Sequence, residues 1–303
     1  MRSKSFLVLS CIFEWLVVVH ATCTLSKYEG GSGLRVQCSN TSLSMALDQG
    51  TAAVSAIMIF RSRLQQIPER AFSRHAGTLV SLNIHQCNIS EIHRDAFEGL
   101  TRLRKLSLPN NKITELKEAW FKDLGSLEQL DLSFNAITKI ESIVFGNLHL
   151  MRRLDVSQNR LTCFEPTGLT HMGAIEKFRF TGNPLSFQCR AKLTLWLRDH
   201  GVDYKGDEKE VWLDSLLWLC AIDNPQVAES ELLMKECVIL DLFNQLRTGL
   251  TTAQSYPLQL PQECIYSRNR LTNCIAPNSR HRPTNGNMMA RLLLTLQASK
   301  SAT

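Results

Sequence analysis

Beyond Cys23 the chain has no apolar run of the ~20 residues needed to cross a bilayer. The longest apolar stretches there, WLDSLLWLCAI (212–222) and MMARLLLTL (288–296), are short and each carries a charge. Neither is a membrane span, and the second is too short and too interrupted for a lipid-anchor signal. No H-E-x-x-H, paired C-x-x-C or G-x-S-x-G is present, and the eight histidines are scattered without metal-ligand spacing. GGSG (30–33) precedes no helix and is a flexible turn, not a phosphate loop. These absences point away from an enzyme and give no reason to expect a metal or cofactor.

A strong basic balance on the folded part is lacking too. From Pro261 onward six basic residues (Arg268, Arg270, Arg280, Arg282, Arg291, Lys300) face one acid, Glu263, and they hold most of the net charge of +6. Residues 22–260 are close to neutral, so nucleic acid is not an expected partner, because phosphate binding needs a basic face on the domain. What is present at the N-terminus is Arg2 and Lys4 followed by an apolar stretch to Ala21, interrupted by Glu14. This is the pattern of a secretory signal peptide over residues 1–21. A secreted chain meets an oxidising compartment, where cysteines pair. Nine of the ten cysteines follow Ala21, an odd number that leaves at least one over and admits an intermolecular bond.

A 24-residue period dominates residues 54–185. LVSLNIHQCNI (79–89), LRKLSLPNNKI (103–113), LEQLDLSFNAI (127–137), MRRLDVSQNRL (151–161) and IEKFRFTGNPL (175–185) align, with a degenerate first copy VSAIMIFRSRL (54–64). The asparagine column runs Ser62, Cys87, Asn111, Asn135, Asn159, Asn183, and Phe72, Phe97, Phe121 and Phe145 form a further column. This is the apolar spacing of the leucine-rich repeat, L-x-x-L-x-L-x-x-N-x-L. It predicts an α/β solenoid, a horseshoe of about six repeats with short parallel strands on the concave face. No unit can bury its apolar side alone, so stacking supplies the core. The asparagines satisfy backbone groups left unpaired where each coil turns inward, since one amide offers both donor and acceptor.

The ends resemble the cysteine-bearing caps of extracellular leucine-rich-repeat proteins. Cys23 and Cys38 bracket a Gly-rich turn before a β-like run, with two cysteines where the family often has four. NPLSFQCRAKLTLWL (183–197) and CAIDNPQVAESELLMKEC (220–237) are similar to the C-terminal cap, although Phe187 stands where its first cysteine is expected. The family's pairing, carried over by position, implies Cys189–Cys237 and leaves Cys220 without its partner. Cys163 lies one repeat before 187, ~5 Å away on a stacked coil, so Cys163–Cys220 is the expected substitute. Cys23–Cys38 and Cys264–Cys274 complete the set, leaving Cys87 free, with free surface thiols or an intermolecular disulfide as the alternative. The expected organisation is a signal peptide (1–21), an N-terminal cap (22–53), the repeats (54–185), a C-terminal cap (186–237) and a basic, partly disordered tail (238–303).

Alternation along each strand leaves the x residues facing outward. The partner-binding candidates are therefore Met58, Phe60, His85, Lys105, Gln129, Asp131, Arg153, Asp155, Lys177 and Arg179, apolar at one end and basic at the other. Asp131 and Asp155 lie near Arg153 and Lys177, a surface charge mosaic. Such an open face suits a protein or glycan better than a small molecule. The family resemblance implies a non-enzymatic recognition module, as in innate immunity or cell-surface signalling. The alternative is a matrix or adhesion component that binds glycosaminoglycan through the basic tail. Asn40 (NTS) and Asn88 (NIS) are expected glycosylation sites.

Overall fold

Each repeat puts one aliphatic or aromatic side chain at the same point of its coil, and in the structure those points stack. A computed structural model describes residues 21–31, 33–49, 54–140, 142–172, 175–204 and 208–254. The expected signal peptide up to residue 20, the tail from 255, and Cys264 and Cys274 lie outside the described residues. The chain divides into two units, residues 1–211 and 212–303.

The first unit is a repeat solenoid. The cap strands β1 (Thr22–Lys27) and β2 (Leu34–Ser39) and the helix α1 (Leu43–Asp48) lead into β3 (Val54–Phe60). The later coils supply β5 (Ser81–His85), β7 (Lys105–Ser107), β8 (Gln129–Asp131), β9 (Arg153–Asp155) and β10 (Lys177–Arg179). A small second sheet pairs β4 (Gln66–Ile67) with β6 (Glu91–Ile92). The main sheet has eight strands in the order β1-β2-β3-β5-β7-β8-β9-β10, parallel except for the β1–β2 hairpin. Ile57, Leu82, Leu106, Leu130, Leu154 and Phe178 lie opposite one another in register and are all buried. Each such side chain contributes roughly 1.5–3 kcal/mol when it leaves water, a gain realised only when neighbouring coils are present.

Short 3-10 turns close the far side at Ser73–His75, Glu118–Phe121, Ser142–Phe145 and Pro166–His171. Beneath them Phe72 stacks on Phe97 at 6.0 Å, and Phe121, Phe145 and Phe164 follow at 6.5 and 6.1 Å.

The asparagine column is a ladder from coil to coil. Asn135 Nδ2 donates to the carbonyls of Leu108, Leu132 and Ser133, and its Oδ1 accepts from the Ile113 N–H. Asn159 repeats this with Leu132, Val156, Ser157 and Ile137, and Asn111 with Ile84, Leu108, Pro109, Cys87 and Ile89. Cys87 fills its place less well: its thiol donates to His85 O at 3.2 Å and Ile59 O at 3.7 Å. Cys87 is free and fully buried, which denies it to an intermolecular bond.

The residue just before the ladder adopts the left-handed conformation in every coil: Arg61, Gln86, Asn110, Phe134, Gln158 and Gly182, with φ from 48° to 72°. Their N–H groups explain why. Gln86 N–H reaches Pro109 O, Asn110 N–H reaches Ser133 O, and Phe134 N–H reaches Ser157 O. Only a left-handed turn here aims the amide at the next coil while the following side chain points into the core. Non-glycine residues bear about 1–2 kcal/mol each for that conformation.

At the N-terminal end Cys23 is bonded to Cys38, directly opposite in the hairpin, with Cα atoms 4.1 Å apart. Because β2 pairs parallel with β3, the cap prolongs the sheet. At the other end the expected pairing is corrected. Cys163 is bonded to Cys189 (Cα–Cα 5.2 Å), and Cys220 to Cys237 (5.9 Å), in place of Cys163–Cys220 and Cys189–Cys237. The repeat ends at Ser186, whose N–H still donates to Thr162 O and whose hydroxyl caps α2 (Phe187–Asp199) by accepting from Cys189 N–H. A helical first turn, rather than another coil, thus lies over Cys163, and it brings residue 189 instead of 187 to the sulfur.

The second unit contains most of α3 (Glu208–Asp223), α4 (Pro225–Ala228) and α5 (Glu231–Gln254). Leu216, Leu217, Ala221, Met234 and Val238 are buried here, and Cys220–Cys237 ties α3 to α5. The expected boundary at 237 falls inside α5, which runs unbroken from 231 to 254.

Candidate recognition face

The outward side chains form rows across the sheet, fixed by strand register. From β2 to β10 one row reads Arg35, Ala56, Ser81, Lys105, Gln129, Arg153, Lys177. Two residues further along the strands the row reads Gln37, Met58, Asn83, Ser107, Asp131, Asp155, Arg179. Two residues further again Phe60 lies opposite His85, so all ten sequence-predicted contact residues share one face, with neighbours ~4.8 Å apart.

At the apolar end Met58 and Phe60 are half-buried, and the cap strand β2 lies beside them in the sheet. Phe60 stacks on His85, with centroids 5.5 Å apart and planes inclined by 9°. Burial holds the His85 pKa below its ordinary value, the Arg61 charge adds to this, and Asp131 opposes it. The imidazole is thereby favoured in its neutral form, and Phe60–His85 forms a flat, uncharged aromatic step. Asn83, opposite Met58, has its Oδ1 enclosed with no hydrogen-bond partner among the described residues.

In the middle the acids have a different role from the expected charge mosaic. Asp131 Oδ1 accepts from Ser133 N–H (3.0 Å) and Oγ (2.7 Å), and its Oδ2 from Ser107 Oγ (3.2 Å). Asp155 does the same with Ser157, at 2.9 and 2.6 Å. Charge-assisted bonds of this kind are the stronger ones, so the carboxylates serve the local turn before they serve any ligand. The repeated D-x-S in LDLSFN and LDVSQN is the sequence signal for it. Arg179 is also engaged, donating to Asp203 Oδ2 at 2.9 Å and Asp203 O at 2.8 Å. Lys105, Arg153 and Lys177 project into solvent.

Phe134, at the rim beside Ser133, is 53% exposed and left-handed at φ 54°. It lies outside the alternating positions that mark the face in the sequence. Asn40 and Asn88 are exposed, each at a left-handed turn with φ of 50° and 57°. Two groupings of metal-ligating side chains occur among the described residues, Cys163–Glu165–Cys189 and Cys220–Cys237–Asp241, and both use sulfurs already spent in disulfides.

The Leucine rich repeat family model matches residues 77–137 and 129–185. The fold is a leucine-rich repeat solenoid. Solved structures that match number 347 chains. One, in the crystal structure of a TLR13–ssRNA13 complex, is 28% identical over 52% of this chain and 23% of that chain, with a TM-score of 0.46. No curated protein matches. The leucine-rich repeats account for residues 77–185 on the family model and, by register, for the coil of β3 before them. Among the described residues no helix is long and apolar enough to cross a membrane.

Proposed function

We propose that the chain is a non-enzymatic, secreted recognition module that binds a protein partner through the outward face of its repeat sheet. The observation that carries this reading is the half-exposed apolar patch of Met58, Phe60 and the stacked His85 at the capped end. Aromatic and methionine side chains on a rigid surface are the residue types enriched at the buried centre of protein interfaces. They need no ordering on binding, which lowers the entropic cost. Gln129, Asp131, Asp155 and Arg179 supply a polar continuation of the face.

Three disulfides and the repeat fold support an extracellular or luminal setting, with the N-terminal signal pattern and glycans on Asn40 and Asn88 as its extensions. The likeness to extracellular leucine-rich-repeat proteins supports a role in innate immunity or cell-surface signalling. The test is affinity capture from extracellular fluid with the wild type and a Met58→Glu/Phe60→Glu variant of matched melting temperature. A partner retained by the wild type and lost by the variant is expected. The same partners on both would remove the apolar end as the contact.

A further inference from the structure

We infer that the margin of the sheet where the strands begin is a second site, independent of the apolar end, and that it takes a sulfated polysaccharide. Lys105, Arg153 and Lys177 occupy one row and have no acidic partner among the described residues, and that row contains no acid from β2 to β10. The column beside it alternates in sign and neutralises itself: Arg104 pairs with Glu128 at 3.6 Å and Arg152 with Glu176 at 3.3 Å. Glu128 and Glu176 are thus paired within their own column, and the acids of the face, Asp131 and Asp155, lie one row over and are hydrogen-bonded to serines.

Arg104, which precedes Lys105 in the chain, lines a groove of about 550 Å³ together with Tyr28, Thr78, Arg102 and Ser126. Gly30 and Gly31 also line it. A Cβ on Gly30 would meet the Tyr28 ring at 2.5 Å, so the ring packs directly on the bare backbone there. Arg102 Nη1 donates to Gly77 O, which leaves most of its five donors free. Thr78 and Ser126 hydroxyls donate to Val54 O and Thr101 O, which leaves their oxygens as acceptors. Guanidinium donors beside hydroxyl acceptors suit a sugar bearing sulfate and hydroxyl groups. From Lys105 to Lys177 the row then spans three strand intervals, ~14 Å, along which a polyanion can continue.

An acidic protein segment fits less well: among the described residues the exposed large apolar side chain at this margin is Leu150, and no exposed aromatic accompanies it as an anchor. The exposed pairs at Arg104 and Arg152 are worth ~0–1 kcal/mol each and exchange readily for sulfate.

The experiment uses the full chain and heparin. Lys105→Gln/Arg153→Gln/Lys177→Gln should weaken heparin binding at least tenfold and make its salt dependence shallower by about three counterions, as for other polyanion contacts. Arg63→Gln/Arg94→Gln/Arg160→Gln removes equal charge elsewhere and should leave binding near wild type. Matching circular dichroism and melting temperatures keep folding out of the comparison. Met58→Ala/Phe60→Ala should still bind heparin as the wild type does, which separates this site from the apolar one. Equal loss in both charge triples, loss only on removing residues 255–303, or tighter binding of polyglutamate than of heparin would overturn the assignment.

Discussion

The two ends of the sheet are built from the same repeat but held in different ways. At the capped end the strands are long, seven residues in β3 and five in β5, and their turns rest on Ser62 and Cys87. At the other end the strands shrink to three residues, and the turns rest on Asn135, Asn159 and Asn183. The cause of the shortening is local. In β3 and β5 the strand pairing reaches Phe60 opposite His85, whereas Asp131 and Asp155 capture the N–H of Ser133 and Ser157 two residues later and end the strand. Pro109, with no N–H, has the same effect on β7. Side-chain bonds thus replace ladder bonds from one end to the other. The end that relies on the ladder is free to display apolar side chains, and the end that relies on side chains displays polar ones.

The sharpest way to break this comparison is to remove a ladder rung at each end. Asn159→Ala orphans the Ile137 N–H, at about 1–3 kcal/mol, and takes one of two donors from each of the Leu132, Val156 and Ser157 carbonyls. A loss on the order of 3 kcal/mol in chemical denaturation is expected after partial relaxation. Cys87→Ala should cost less than half as much, since it gives up weak thiol bonds and little volume; equal losses would mean the two ends are held alike. Next in size is Asp155→Ala, which frees the Ser157 N–H and hydroxyl. About 1.5–3 kcal/mol is expected for a charged acceptor, and hydrogen exchange at Ser157 should rise while exchange at His85 does not. The smallest effect is the pH response of the apolar end. His85 has a lowered pKa in the folded state, so the unfolded chain takes up the proton first. Stability is complete above the ordinary histidine value of ~6.5 and declines as pH falls below it. A His85→Gln variant should melt with a shallower pH dependence between pH 7.5 and 5.5, and an unchanged slope would refute the assignment to this residue.

The repeat was legible in the sequence because stacking copies one environment through every coil, so the same residue type recurs every 24 positions. The aliphatic core, the phenylalanine column, the inward asparagines and the face shared by Met58, Lys105 and Arg153 all follow from that copying. Three features did not. The left-handed column of Arg61, Gln86, Asn110, Phe134, Gln158 and Gly182 shares a backbone conformation and no side-chain chemistry, and glycine marks it once. Its exposed Phe134 was accordingly missed as a rim residue. The engagement of Asp131 and Asp155 by serines was hidden because alternation shows which way a residue faces but not what its oxygens bind. The Cys163–Cys189 bond was misassigned because spacing was extrapolated past Ser186, where the period gives way to a helix cap.

Constant strand spacing has a metric consequence. Met58 and Arg153 are four strand steps apart in the sheet order, roughly 19 Å. That interval is counted in whole coils, so duplicating or deleting one 24-residue unit between them would lengthen or shorten it by ~5 Å and leave each end's chemistry intact. The repeat thus works as a graduated gauge, and two ligands bound at its two ends would be held at a distance the chain can change in single notches.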